Sequence, residues 1–338
     1  MKILVTGANG FVGSHLLKQL SEKREYSITG LVRETSDLSR LSGGEYDLLR
    51  ASLDCPLYGI TKGFDAVVHT AASTVRWGND ESVYRTNVDA AINILKDSIQ
   101  NGVKRFVHYS STVVYGFSGN RETDEDAALS PFATAYCRSK AIVEKEILKY
   151  SNDIEIIILR PSNIYGPMDT LFIYPIIWGV DKGILRFFPK AGKTLTSPCY
   201  VRNIAFATER ALETTEGFGE AYNISDGSDM EWREFLGIIA EVLGKRPPQR
   251  GMPVKPLLFL AHALDRTNRL FGIRPFLTPH DIEHIANDYS FSIEKAARLL
   301  GYKPLYATGE GIRETISWYI EYRQKRRRQK RRRQKCRF

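Results

Sequence analysis

Short apolar runs alternate with segments of helical period through the first half of the chain. Ile3, Leu4 and Val5 make an apolar, β-branched-rich run, the pattern of a strand buried on both faces. A helix is predicted over 11–22, a second strand over Ser27–Val32, and a further buried strand over 65–73 that ends in small residues. Val88, Ala91, Ile92, Leu95 and Ile99 recur with the helical period inside 83–100. Strands are predicted over Arg105–Tyr109 and 155–159, with a polar segment (118–131) and a helix carrying Tyr136 and Lys140 between them. This alternation predicts an α/β chain built on a doubly wound parallel sheet. Beyond Pro167 the pattern loosens. Residues 171–180 are apolar and aromatic, while 199–207 and 221–224 are expected to return to the main sheet. An amphipathic helix is predicted over 232–243, a proline-rich connection over 247–256, and closing helices over 292–300 and 309–322.

The first strand runs straight into Thr6-Gly7-Ala8-Asn9-Gly10-Phe11-Val12-Gly13. Gly7 permits a tight turn, Gly10 lets the backbone approach a ligand, and Gly13 lets the helix pack close to the strand. The free N–H groups and positive end of that helix are aimed at a diphosphate. The spacing is G-x-x-G-x-x-G, and its place between a strand and a helix is what gives it meaning. At the tip of the second strand, an acid would bind a ribose 2′-hydroxyl and an arginine a 2′-phosphate. Arg33 occupies that tip and Arg40 lies seven residues on. The expected cofactor is therefore NADP, with NAD left open. Residues 7–13, 69–73, 110–111 and 160–167 all fall at carboxyl ends of predicted strands, where such folds bind ligands.

Composition narrows the picture. The chain has 338 residues, of which 43% are hydrophobic, enough for a sizeable core. Its +9 charge is local: residues 323–338 hold eleven Lys or Arg and no acid. Removing those eleven from 48 leaves 37 basic against 39 acidic residues, a net of −2. A near-neutral body argues against a nucleic-acid partner. The tail repeats Gln-Lys-Arg-Arg-Arg and is expected to be disordered. Cys55, Cys137, Cys199 and Cys336 show no C-x-x-C spacing, so neither a disulfide framework nor a zinc site is expected. His69 has no second ligand at matching spacing and reads as a packed structural residue; no metal is expected. Met1 leads directly into the first strand, so no signal peptide is expected. No apolar run reaches the ~20 residues that span a bilayer. The expected location is cytoplasmic.

Tyr136 and Lys140 are four apart on one helix face. A tyrosine has an ordinary pKa of ~10, too high for a base at neutral pH. A nearby ammonium and a positive nicotinamide ring favour the phenolate. Tyr136 would then take a proton from a substrate hydroxyl as hydride leaves, with Ser111 holding the same oxygen.

Through Thr6–Gly13, His69–Ala72, Asn87, Ser110–Ser111, Tyr136–Lys140 and Arg160–Pro167, the chain resembles the extended short-chain dehydrogenase/reductase superfamily, also called the epimerase/dehydratase family. The resemblance spans roughly residues 1–320. It implies that Ser111, Tyr136 and Lys140 are catalytic and that Asn87 supports a proton relay. It places cofactor contacts at Gly7, Asn9, Gly10, Phe11, Val12 and Gly13, at Leu53, at Thr70, Ala71 and Ala72, at Tyr136 and Lys140, and at Pro161 and Asn163. It also implies a Rossmann-type dinucleotide-binding domain over 1–167, to which 198–226 return. A smaller mixed C-terminal substrate-binding domain would comprise 168–197 and 227–322. One departure is that the family's adenine-contacting Asp is replaced by Ser52, with Asp54 two residues late.

Nucleotide-sugar enzymes of this superfamily usually carry an arginine for the sugar diphosphate before a Val-x-Asp. Here that stretch is Thr196-Ser197-Pro198-Cys199-Tyr200-Val201-Arg202-Asn203, and the arginine position is not filled. Tyr200–Ala205, Tyr222–Asp226 and Lys295–Pro304 look instead like the 3β-hydroxysteroid and sterol dehydrogenase branch. Arg33 and Arg40 are more similar to dihydroflavonol reductases. The expected activity is oxidoreduction of a secondary alcohol or ketone on a small apolar substrate, sterol- or terpenoid-like, with Leu171, Phe172, Ile173, Tyr174, Ile177 and Trp178 as candidate pocket lining. The alternatives are a nucleotide-sugar epimerase or dehydratase and a non-catalytic dinucleotide-binding regulator. The basic tail and 257–271, apolar at first and basic at Arg266 and Arg269, make an anionic membrane surface a further expected partner. Cys336, third from the end, does not fit the prenylation pattern. A homodimer is left open.

Overall fold

The computed structural model describes residues 1–41, 43–54, 57–74, 80–271 and 278–335, without the side chains of 267–271, 327 and 329–335. Cys55 and Cys336 lie outside the described residues, as does the side chain of Arg269. The first half runs β1 (Lys2–Thr6), α1 (Phe11–Ser21), β2 (Ser27–Val32), β3 (Asp47–Arg50), β4 (Ala66–His69), α2 (Asp80–Tyr84), α3 (Ala90–Gln100), β5 (Arg105–Tyr109), β6 (Asn120–Thr123), α4 (Ala135–Leu148), β7 (Glu155–Pro161) and β8 (Asn163–Tyr165). The second half runs α5 (Ile173–Asp181), β9 (Phe187–Pro189), β10 (Leu195–Thr196), β11 (Pro198–Tyr200), α6 (Val201–Glu213), β12 (Glu220–Ile224), β13 (Met230–Glu231), α7 (Trp232–Val242), β14 (Arg250–Met252), α8 (Val254–Phe271), α9 (Pro279–Ala286), β15 (Tyr289–Phe291), α10 (Glu294–Leu300) and α11 (Thr308–Lys335).

Seven parallel strands form the main sheet in the order β12-β7-β5-β4-β1-β2-β3. The order reverses between β1 and β4, and a parallel sheet of this kind opens its ligand crevice at that point. Both faces are covered, which is why the strand runs are continuously apolar. One face packs Ile3, Val5, Val107 and Leu159 against α1, α6 and α10. The other packs Leu4, Val67, Phe106 and Ile156 against α3 and α4. A second core gathers Ile173, Ile177, Trp232, Phe235, Ile239, Ile312 and Ile316 from α5, α7 and α11. A four-stranded sheet, β13-β10-β15-β6, and the pairs β11·β8 and β14·β9 complete this smaller region.

Several expectations change in detail. The helix predicted over 83–100 starts at Asp80 and is interrupted by a π-helical turn, Arg85–Asp89, that contains Asn87. Of 199–207, only Cys199 and Tyr200 are extended; the rest is α6, lying over the main sheet, while β12 joins the sheet as its edge. The proline-rich connection holds a short strand, β14, and the first turn of α8. The basic tail does not fall away from the fold as unstructured chain: α11 continues through it to Lys335. Gln, Lys and Arg are good helix formers, and a packed helix already in place removes the nucleation cost. Arg323 fastens the junction on Asp181 and Tyr319.

Candidate active site

Gly7 sits at φ +68°, and a Cβ there would lie 2.8 Å from both Cα and N of Ala71. The glycine turn is thus pressed against the end of β4. A Cβ on Gly13 would overlap the Gly7 carbonyl, so the first turn of α1 can approach β1 only with glycine at that place. Gly10, whose N–H donates to Gly7 O at 2.9 Å, caps α1 without any side-chain acceptor, and the first turn carries no acid. The leading N–H groups, from Phe11 and Val12, therefore have no intrahelical acceptor and the dipole is uncompensated. This cradle fits the diphosphate of a nicotinamide dinucleotide.

The wall opposite is set by hydrogen bonds that the sequence did not reveal. Thr70 Oγ1 donates to Thr6 O at 2.7 Å, and Thr6 Oγ1 pairs with His69 Nδ1 at 2.9 Å while accepting Ala71 N–H at 3.4 Å. Burial, with the charge of Lys140 adding to it, pulls the His69 pKa down to about 3, so the imidazole is neutral. His69 is a packed residue, as its sequence context indicates. Ala72 is half-buried beside this wall, and Leu53 is packed into the core beneath it.

At the adenosine end Arg33 is exposed at the tip of β2, its N–H fixed by Ser36 Oγ. Arg50, absent from the sequence-based set, ends β3 beside Val32 and donates to Glu34 O at 2.9 Å, which holds the Arg33 loop. Asn9 reaches Asp37 O at 3.4 Å. The Arg40 guanidinium reaches Met168 O at 3.4 Å and its charge acts on Asp169. Ser52, at the family's Asp position, bonds Asp54.

Ser111 and Lys140 are brought together at the end of β5, and Tyr136 lies one turn before Lys140 on α4. Ser111 follows that strand in extended conformation and caps the 3-10 turn Thr112–Tyr115 by accepting Val113 N–H. Its Oγ reaches Pro161 O at 3.5 Å, so the end of β7 lies alongside. The Asn163 amide donates from Nδ2 to Thr196 Oγ1 at 2.9 Å. Tyr136 is half-buried in the first turn of α4, behind the Thr134 cap. One turn on, Lys140 is buried and donates from Nζ to Tyr109 O at 2.6 Å. Burial lowers its pKa to about 8, against the opposing pull of Glu144.

Two clamps hold α4 in this position. Asn87, buried in the π-helical turn, accepts Ser73 N–H at 2.6 Å and donates to Ser73 O and to Ser139 Oγ on α4. Glu144 on α4 takes a bidentate contact from buried Arg160 of β7, whose Nη1 also reaches Tyr115. A recess of about 1030 Å³ lined by Glu122, Asp124, Glu125, Asp229 and Lys295 is walled by charged groups and lies outside this constellation.

A seven-stranded Rossmann sheet with a glycine cradle at its switch point, Ser111 and Lys140 at the end of β5 and Tyr136 on α4 are the features of a dinucleotide-binding enzyme of the extended short-chain dehydrogenase/reductase type. The chain belongs to the NAD dependent epimerase/dehydratase family, whose profile matches residues 3–225. It is 28% identical to 3beta-hydroxysteroid-dehydrogenase/decarboxylase isoform 1 of Arabidopsis thaliana, covering 93% of this chain and 78% of that protein. It is also 28% identical to a 3 beta-hydroxysteroid dehydrogenase/Delta 5-->4-isomerase of Mycobacterium tuberculosis, covering 94% and 90%. Among solved structures, UDP-glucose 4-epimerase of Thermotoga maritima shares the fold with a TM-score of 0.75 at 21% identity, covering 95% and 99%. The chain is thus a dehydrogenase-like enzyme on the 3β-hydroxysteroid dehydrogenase side of the superfamily. Among the described residues, no helix is long and apolar enough to cross a membrane.

Proposed function

We propose that this protein is an NADP-preferring oxidoreductase that interconverts a secondary alcohol and a ketone on an apolar, sterol- or terpenoid-like substrate. When bound, the nicotinamide supplies the hydride acceptor or donor. Ser111 holds the substrate oxygen, Tyr136 takes or returns its proton, and the Lys140 ammonium lowers the cost of the phenolate. Asn87 acts as a positioning residue, because its amide is committed to Ser73 and Ser139. Arg33, supported by the Arg50 anchor, is the 2′-phosphate partner.

The observation that carries the substrate class is the strand where nucleotide-sugar enzymes usually present an arginine. In this chain Pro198, Cys199 and Tyr200 are buried there, and Arg202 turns its guanidinium onto the Tyr306 ring, 4.4 Å from its centroid, and toward Glu314. β11 itself carries no cation, and the Arg202 guanidinium, in the first turn of α6, is engaged by Tyr306 and Glu314. The candidate lining needs correction: Ile173 and Ile177 are core of the smaller region, Phe172 packs on Trp232, and Tyr174 on Tyr319 and Trp318. The 3.6-residue period of α5 turns Ile173 and Ile177 inward, and Leu171, which precedes the helix, is exposed. The test is turnover of a sterol and terpenoid alcohol panel against UDP- and dTDP-sugars, followed by NADPH fluorescence. Sterol oxidation with no sugar turnover is the expected result; the reverse pattern overturns the proposal.

A further inference from the structure

The helix α8 is amphipathic in the wrong sense for a helix that packs only on protein. Pro256, Phe259, Leu260, Ala263 and Leu264 follow the i, i+3, i+4, i+7, i+8 spacing of one face, and all are exposed. Phe259 is 78% and Leu260 51% exposed, whereas Ala261, on the other side, is fully buried. The same region has a second apolar outcrop. Ile184 is 61% and Phe187 43% exposed. Phe187 is paired with Arg250 across β9 and β14, and β14 runs directly into α8 through Pro253.

The side chains bordering these apolar groups are basic. Arg186, Lys190, Arg250, Lys255 and Arg266 are all exposed, and the Arg250 guanidinium lies over the Phe187 ring at 6.0 Å. An apolar face bordered by cations calls for a partner that is apolar and anionic together. A bilayer containing anionic lipid matches both features at once: acyl chains accept Phe259 and Leu260, and headgroup phosphates and carboxylates accept the arginines and lysines. A helix of 18 residues lying in the interfacial plane needs no spanning length. The basic continuation of α11 through Lys335 adds a second, electrostatic arm, and two weak anchors hold where one does not.

We propose that α8, with the β9–β14 pair beside it, is a docking surface for an anionic lipid bilayer, reinforced by the basic end of α11. The surface is independent of the reaction assigned above and stands whichever substrate the enzyme uses.

The experiment is co-sedimentation of the full chain with vesicles of phosphatidylcholine alone and of phosphatidylcholine mixed with phosphatidylserine. Binding is expected to the mixed vesicles, with little to the neutral ones, and to weaken in high salt as screening shortens the reach of the cations. The double variant Phe259→Ser, Leu260→Ser should bind the mixed vesicles at least about tenfold more weakly. Its melting temperature and turnover of a soluble substrate should match wild type, since both side chains face solvent. Truncation after Arg323, which keeps the bridge to Asp181, should also weaken binding. Equal binding by wild type and the double variant overturns the proposal. So does no binding to mixed vesicles, or a dimer in sedimentation analysis that the double variant dissociates while vesicles fail to compete with it.

Discussion

Lys140 Nζ donates to the carbonyl of Tyr109 at 2.6 Å, and this one bond couples α4 to the strand that delivers Ser111. The ammonium is buried, so it is held by geometry rather than by solvent, and its pKa falls to about 8. Its usefulness as a cation beside Tyr136 therefore has an upper pH limit. Above about pH 8 the charge is progressively lost, and with it the stabilisation of the phenolate. Lys140→Arg keeps a cation at every accessible pH. The prediction is that kcat/KM of wild type shows an alkaline limb near this pH that the arginine variant lacks, on a lower plateau. Identical alkaline limbs in the two enzymes would assign that limb to another group.

Tyr136→Phe keeps the ring in the first turn of α4 and removes only the oxygen. Proton transfer by a positioned side chain is worth about 10²–10⁴-fold, so turnover should fall by that range. Binding of NADP(H), measured by fluorescence quenching, should stay close to wild type because the glycine cradle is untouched. Wild-type turnover in this variant would remove Tyr136 from the chemistry and assign the proton transfer to another group.

Gly10→Ala and Gly13→Ala separate cofactor approach from folding. A Cβ on Gly13 meets the Gly7 carbonyl, a backbone atom that cannot move aside cheaply. Overpacking of this sort costs about 1–3 kcal/mol, so the melting temperature should drop. On Gly10 the nearest atom to a new Cβ is Gly7 O at 3.0 Å, and φ is −71°, which alanine accepts. That variant should melt closer to wild type than Gly13→Ala, since its Cβ would stand 3.0 Å from Gly7 O where that of Gly13 would overlap it, and is expected to lose dinucleotide affinity. Undiminished affinity in Gly10→Ala would place the diphosphate elsewhere.

Arg33→Asp exchanges a 2′-phosphate partner for a 2′-hydroxyl partner. Loss of a charge-assisted pair worth ~1.5–3 kcal/mol should lower the NADPH to NADH affinity ratio by at least an order of magnitude. Arg50→Ala, which frees the Glu34 carbonyl and loosens the loop, should lower NADPH affinity without reversing the preference. Titration of both nucleotides against the three proteins reads this directly, and an unchanged ratio in Arg33→Asp would make Arg33 a loop residue only.

The features legible in the sequence are those written in adjacent residues. Gly7, Gly10 and Gly13 mark the cradle because a turn and a helix start are local events, and Tyr136 and Lys140 share a face because four residues make about a turn. What could not be read depends on residues far apart in the chain. Asn87 joins Ser139 on α4, Arg160 joins Glu144 and Tyr115, and Arg50 supports the Arg33 loop only because β3 pairs with β2. The contact of Arg40 with the Met168 carbonyl spans 128 residues and is likewise invisible to local pattern. The apolar run at 171–180 was ambiguous for a different reason, since a core helix and a pocket wall have the same composition, and only its partners distinguish them.

Asp226 offers a test of how the smaller region is fastened to the sheet. Its carboxylate accepts Tyr200 N–H and Asn203 Nδ2 on one oxygen, and Tyr165 OH and Thr308 Oγ1 on the other. It therefore ties β8, β11, α6 and α11 together. Burial raises its pKa to about 6, the four donors opposing the shift without cancelling it. The folded chain then holds this proton more tightly than the unfolded chain does, so between about pH 4 and 6 folding takes up a proton. Stability from this group is greatest below about pH 4 and declines as pH rises through 6, by on the order of 3 kcal/mol. Asp226→Asn cannot ionise. Its amide oxygen still accepts from Tyr200 and Asn203, and its NH₂ faces two hydroxyls that can rotate to accept. The variant should lose ground to wild type at about pH 4 and equal or exceed it at about pH 7 in denaturant unfolding. A stability difference that does not change with pH would mean that Asp226 is ionised in both states and that its donors outweigh its burial.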